Sequence, residues 1–277
     1  MSAAIPAPLV SDPDLARDHR AIVEAVREAG AVASRYFGRN PKQWDKRPGD
    51  PVSEADVAVN VCLRQRLRDA RPGYAWLSEE SDDDPARLGG PPVWVVDPID
   101  GTKSFLRGSP DYAVSVALVV DGQPRAAAVF NPAKEEFFDA IEAGGARLND
   151  EPIVATARDA VDGARLLASA RELRSGRWPE AFAAAEVSDR GSIAYKLSLV
   201  ACGRYDGAVS MTAKSDWDIA AADLIVREAG GRATTAAGTA FRYNRASIRH
   251  PSVIAAGASL HSVLLDLLEG GAGGGGA

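Results

Sequence analysis

Cysteine and histidine are scarce: two and three residues respectively in a chain of 277. Cys62 and Cys202 stand far apart with no CxxC pair, which argues against a zinc ribbon or redox dithiol. Both fall in apolar helical patterns and read as buried, reduced thiols. His19, His250 and His261 are equally scattered and make no zinc-type spacing. No Cys-His or Ser-His arrangement suggests a covalent nucleophile. Apolar runs of transmembrane length are missing, and so is a basic N-terminal segment followed by an apolar core, so no membrane insertion and a cytoplasmic location are expected. Positive charge is also short. The net charge is −6 and the pI about 5.2, which disfavours a nucleic acid polymer as partner. A small anionic substrate stays open, because a local cluster of cations or metals overrides net charge. What is present, 46% hydrophobic and 25% charged residues, fits a soluble globular protein with core enough for one large or two ordinary domains.

The pattern along the chain divides in two. Residues 1–10 read as a flexible arm. Ser11 or Asp12 caps a helix, with Pro13 in its first turn, that runs through Leu15, Ile22, Val26, Ala29, Ala33 and Tyr36 to Gly38. A polar loop, residues 39–51, reads as mobile unless something binds it. Ser53 opens a second helix, Asp56 completing a variant capping box, with Val57, Val61, Arg64 and Leu67 as its face. A strand at 74–77 and an acidic surface loop at 82–92 precede Trp94-Val95-Val96-Asp97. Apolar runs at 113–120, 125–130 and 135–141, separated by Asp121-Gly122 and Asn131-Pro132, predict an antiparallel sheet. After Gly144-Gly145 strands and helices alternate: strands at 165–169, 187–191, 205–211 and 252–256, helices at 177–186, 192–202, 218–230 and 260–269. This gives an α+β subdomain over 11–145, an α/β subdomain over 146–269, and a low-complexity, disordered tail at 270–277.

The stretch from Trp94 to Thr102 carries the chemistry. A buried strand ends in Asp97 and Asp100, and Gly101-Thr102 follows at once. Two acids at a buried strand end repel each other without a cation. Hard cations such as Mg²⁺ take carboxylates plus substrate phosphate, and exposed N–H groups at a helix start suit an anion. Glu79 and Glu80 end an earlier strand, Asp218 opens a late helix, and Asp50 lies in the polar loop. Alone, Asp218 would be a cap and Asp50 a turn residue. Glu80, Asp82, Asp83 and Asp84 read as solvated surface acids. Together these separated segments could build a two-metal cluster, its ions roughly 3.5–4 Å apart.

These blocks resemble the Mg²⁺-dependent, lithium-sensitive phosphatases typified by inositol monophosphatase. The resemblance rests on Ser78-Glu79-Glu80-Ser81, on Trp94 to Thr102 with Phe105, on Trp217-Asp218-Ile219 through Gly230-Gly231, and more weakly on Asp50-Pro51-Val52-Ser53 with Ala55-Asp56. It implies a layered αβαβα sandwich of the inositol monophosphatase and sugar phosphatase type. It implies two Mg²⁺ ions, one on Glu79, Asp97 and the Ile99 carbonyl, the other on Asp97, Asp100 and Asp218. Thr102 and Glu79 would position and help deprotonate the attacking water. The N–H groups of Gly101 and Thr102 would bind the phosphate, and Asp50 would join the water network or a third, weaker metal. The reaction implied is in-line hydrolysis of a small phosphorylated metabolite. Family members are often dimers, which leaves a homodimer open.

For the substrate, the acidic residue that receives sugar hydroxyls in inositol monophosphatases is replaced by Met211, whose thioether cannot accept paired hydroxyls. Ser192 to Lys196 resembles the 3'(2'),5'-bisphosphate nucleotidase branch instead. Lys196 and Lys214 are then candidates for a second phosphate and Tyr195 for the base, with Tyr195 as core and Lys214 as a solvated loop lysine the bland alternatives. Lys46 could assist from the polar loop or simply lie at the surface. Adenosine 3',5'-bisphosphate is the first expectation and inositol 1-phosphate the second, with histidinol phosphate and fructose bisphosphate open. A non-catalytic, phosphate-binding relative is the reading from a different class.

Overall fold

The computed structural model describes residues 13–174 and 178–272. The elements run α1 (Pro13–Tyr36), β1 (Gln43–Arg47), β2 (Asp50–Ser53), α2 (Glu54–Ala70), β3 (Ala75–Ser78), β4 (Val93–Asp100), α3 (Thr102–Leu106), β5 (Ala113–Val120), β6 (Gln123–Asn131), β7 (Glu136–Ile141), β8 (Ala146–Leu148) and β9 (Glu151–Ile153). Then come β10 (Arg165–Ala168), α4 (Ala170–Arg174), β11 (Glu186–Asp189), α5 (Ile193–Ala201), β12 (Gly207–Ser210), β13 (Lys214–Ser215), α6 (Asp216–Glu228), β14 (Gly231–Thr234), β15 (Arg249–His250), β16 (Val253–Gly257) and α7 (Ala258–Ala272).

The first sheet follows chain order from β3 to β9 and is antiparallel except for the parallel β3–β4 pair. Its central strands are apolar on both faces because both faces are covered. Strand alternation assigns the sides. Trp94, Val96, Val116, Leu118, Ala126 and Ala128 pack with α1 and α2. Val93, Val95, Ala117, Val119, Ala127 and Val129 pack with α5 and α6. Those two helices also bury the inner face of a second sheet, ordered β11-β10-β12-β16-β14, through Leu167, Ala208, Val253 and Ala255. Its outer face, with Leu166, Val209 and Ile254, is closed by Leu260 and Leu264 of α7. The layers are αβαβα.

Several expectations change. The loop at 39–51 is a hairpin: Trp44 pairs with Val52, and Gly49 turns it at φ 78°. The buried face of α2 is Ala55, Val59, Leu63 and Leu67, while Val57 and Val61 are 42% and 59% exposed. The loop at 82–92 holds a 3₁₀ turn, Pro85–Arg87, whose Arg87 is buried and bound to Asp83 and Asn244. The helix expected at 177–186 is a 3₁₀ turn at Glu180–Phe182, and the helix of this region is α4. The last helix extends to Ala272, into the stretch expected to be disordered. The cap at Ser11 or Asp12, the arm at 1–10 and the last five residues lie outside the described residues.

Candidate active site

The strand β4 is buried along its whole length and delivers Asp97 and Asp100 to one cavity. Pairing with β5 slips between these two residues, where Pro98 cannot donate a ladder bond. Gly101 turns the chain at φ 92°, and a side chain there would meet the Asp111 carbonyl at 2.9 Å. Helix α3 starts immediately after, so Gly101 and Thr102 line the same cavity, of about 610 Å³.

Glu79, Asp97 and Asp218 converge, offering carboxylate oxygens within 4.8 Å of one another. Asp97 is 1% exposed, and neither of its oxygens has a hydrogen-bond partner among the described residues. Burial, then the charges of Glu79, Asp100 and Asp218, push its carboxyl well above the usual range. Burial, then Asp100 and Glu79, push Asp218 up to about 7. Burial raises Asp100 as well, although the Ser192 hydroxyl and the Ala194 N–H pull it back. Unpartnered carboxylate oxygens crowded in a buried site are what a hard divalent cation relieves, so this donor set fits Mg²⁺. Asp218 is not the opener of its helix. It is the third residue of α6, and its Oδ2 accepts the Ser215 N–H at 2.6 Å.

Asp56, legible in the sequence as the acid of a capping box and as part of the weaker block that begins at Asp50, makes a further contact in the fold. Its Oδ2 accepts the Ser53 N–H and hydroxyl at 2.8 and 2.6 Å, while its Oδ1 lies 3.1 Å from the Thr102 hydroxyl. That hydroxyl also reaches the Ile99 carbonyl at 3.0 Å. Asp50 lines the cavity from the hairpin but pairs with Arg47, so Asp56 and not Asp50 meets Thr102. Lys46 on the same hairpin bridges Glu79 and Glu80, at 2.8 Å from each. Burial works against its charge, yet these two acids hold its ammonium raised. Glu80 is therefore a partly buried ion-pair partner rather than a solvated surface acid.

The substrate-side residues divide. Lys196 is buried and lines the cavity, and burial lowers its ammonium to about 8 against the opposing pull of Glu172. Lys214 lines the cavity too, its Nζ on the Thr212 hydroxyl at 3.0 Å. Tyr195 does not line it: the ring is core beside Phe138 and the hydroxyl donates to Glu136 at 2.7 Å. Met211 is also withdrawn, its side chain packing on the outer core of the second sheet. Its N–H donates to Glu172, a buried acid whose two oxygens are also bound by Ser169 and Ser210. Arg171, Arg174 and Arg190 complete a cationic wall that spacing could not reveal, since a turn and a short helix bring them in.

A family model described as the inositol monophosphatase family matches residues 14–270. The chain belongs to that family. It is a metal-dependent phosphoric monoester hydrolase acting on a small phosphorylated metabolite, and the family's metal is Mg²⁺. An inositol-1-monophosphatase of Rhizobium meliloti is 38% identical over 227 residues, 78% of this chain and 85% of that one. A protein named Nus factor SuhB from Xylella fastidiosa is 36% identical over 222 residues, 76% of this chain and 78% of that one. Among solved structures, the extragenic suppressor protein suhB of Bartonella henselae superposes with a TM-score of 0.79 at 30% identity, covering 90% of this chain and 97% of that one. The IMPase of Thermotoga maritima gives 0.79 at 26%, covering 91% and 96%. The layered fold of this family is the αβαβα sandwich described above. Among the described residues, no helix is long and apolar enough to cross a membrane.

Proposed function

We propose that the enzyme hydrolyses inositol 1-phosphate or a closely similar sugar-alcohol phosphate, and that its site holds two Mg²⁺ ions. The chemistry rests on one observation, the convergence of Glu79 and Asp218 on the unpartnered carboxylate of Asp97. Asp97, with both oxygens open, would bridge the ions. Asp100, Asp218, Glu79 and the Ile99 carbonyl would complete their protein ligands. Mg²⁺ supplies charge neutralisation at the phosphate and an acidified water. Thr102 and Asp56 do the proton work: the Thr102 hydroxyl accepts a proton from the attacking water and passes its own to Asp56 Oδ1. Glu79 orients the same water, and the N–H groups of Gly101 and Thr102 hold a phosphate oxygen at the start of α3. The substrate assignment is supported by relatives that carry the name inositol-1-monophosphatase.

A second reading, adenosine 3',5'-bisphosphate, is favoured by a different observation. Lys196, Lys214, Arg171, Arg174 and Arg190 share the cavity with the acids, and Met211 offers no hydroxyl-accepting carboxylate. Cations suit a leaving group that carries its own phosphate. Steady-state kinetics on both esters, with lithium titrated, separates the two. Higher kcat/KM on inositol 1-phosphate supports the first reading, higher kcat/KM on the bisphosphate replaces it with the second, and lithium inhibits in either case. If neither ester turns over with Mg²⁺, both substrate assignments fall.

A further inference from the structure

Ser192 departs from the backbone rule that an L residue avoids positive φ: it sits at φ 31°, ψ 113°, as the N-cap of α5. A residue without a Cβ would be less strained there, so the side chain present needs a reason. Its hydroxyl donates to Asp100 Oδ2 at 2.6 Å and accepts the Tyr195 N–H at 3.0 Å. The Ala194 N–H reaches the same carboxylate oxygen, again at 2.6 Å. Neither bond involves Asp100 Oδ1.

The turn is also wedged in place. A Cβ on Gly191 would lie 2.2 Å from the Ser104 hydroxyl oxygen and 2.5 Å from the Asp111 carbonyl, and one on Gly101 would lie 3.0 Å from the Ser192 nitrogen. The turn before α5 therefore docks on the loop after β4 with no room for adjustment, and the strained residue at the contact is the one that grips the carboxylate.

Asp97, Asp100 and the half-buried Asp218 then differ in how many oxygens are left for a cation. Asp97 has two without partners, Asp218 has Oδ2 taken by Ser215, and Asp100 has Oδ2 taken twice. We propose that Ser192 is a positioning residue for Mg²⁺ binding, fixing Asp100 so that Oδ1 alone is presented as a single-oxygen ligand. This rests on the reading of Asp100 as a metal ligand. Outer hydrogen bonds of this kind orient a ligating carboxylate before the ion arrives, and their loss weakens metal affinity without removing a ligand.

The test compares S192A, S192G and S192T with wild type. Mg²⁺ affinity is measured by calorimetry without substrate, and melting temperature on the metal-free proteins. S192A removes the hydroxyl and keeps the strain, S192G removes the hydroxyl and eases the strain, and S192T keeps the hydroxyl and adds a β-branch to a strained backbone. The expected result is a Mg²⁺ affinity about tenfold weaker in both S192A and S192G. S192G should melt at or above S192A. S192T should bind Mg²⁺ close to wild type although it melts lowest. Wild-type affinity in S192A or S192G overturns the proposal, as does affinity that simply follows melting temperature across the series. Wild-type protein that binds no Mg²⁺ overturns the ligand reading itself, and the role of Ser192 with it.

Discussion

Asp97 carries two opposed demands. As a carboxylate without hydrogen-bond partners among the described residues it costs folding energy, and burial with four acidic neighbours raises its proton affinity. As a ligand it is most useful in that state. Asp97→Asn should therefore raise the melting temperature of metal-free protein while reducing kcat by about 10³-fold or more, read by calorimetry and steady-state rates. Asp56 is a second residue with two uses, one oxygen for the helix cap and one for Thr102. Asp56→Asn should lower kcat by about 10²-fold, whereas Ser53→Ala, which breaks the same cap away from Thr102, should cost about 1 kcal/mol of stability and little rate. In the sequence Asp56 belongs to the weaker block that begins at Asp50 but carries no role beyond its pairing with Ser53, because a capping box is a complete explanation for an acid at that spacing. Asp97, Asp100 and Glu79 stood out because acids that end separate buried strands have few other reasons to be there, whereas Asp218, the third residue of α6, has its own capping box with Ser215 and stood out only through the Trp217-Asp218-Ile219 block. Tyr195 was misplaced for the opposite reason: helical phase cannot say which side of α5 meets the cavity.

At the scale of elements, strands β4 to β7 of the first sheet were readable because both faces are apolar and the turns carry their own chemistry, as at Asp121-Gly122, whereas β8 and β9, three residues each and partly exposed, were not. The face of α2 was not, because its buried side mixes the polar Asp56 and Asn60 with Ala55, Val59, Leu63 and Leu67, and two valines lie on the exposed side. The hairpin at 43–53 escaped notice for a similar reason. Its outer strand is exposed throughout, so no alternation marks it. Helix α6 holds a measurable pH sensor in its interior. Asp223 accepts a hydrogen bond from Tyr243 and pairs with Arg227 at 3.4 Å, yet burial outweighs both and pushes it up to about 6 from an ordinary 3.8. The folded state holds this proton more tightly than the unfolded chain. The associated stability is fully present below pH 3.8 and is lost as pH rises through 6. Denaturant unfolding between these pH values should show wild type losing about 3 kcal/mol relative to Asp223→Asn. A constant difference between the two proteins would count against the buried charge.

At the scale of the molecule, the acids that repel one another belong to different layers: Glu79 and Asp97 to the first sheet, Asp218 to the helices between the sheets. Their repulsion opposes the sandwich until a cation neutralises it. Mg²⁺ at about 100 times its dissociation constant should stabilise the protein by about 2.7 kcal/mol, visible as a rise in melting temperature that a chelator reverses. An unchanged transition would mean that the ion does not join the layers. The passage from an antiparallel sheet to an α/β layer was legible from the change of pattern after Gly144-Gly145 and the αβαβα order from the family resemblance, while the separate β13–β15 pair was not, since each strand is two residues long. The seating of the Gly191 turn against the loop after β4 has a consequence for biosynthesis. On the proposed ligand set, Asp97 and Asp100 leave the ribosome well before Ser192 and Asp218 are made, so the nascent chain would carry an incomplete chelate until Asp218 is added. Such a site would be complete only when the final third of the chain has folded back onto the first, and ion capture would then mark the end of folding rather than its start.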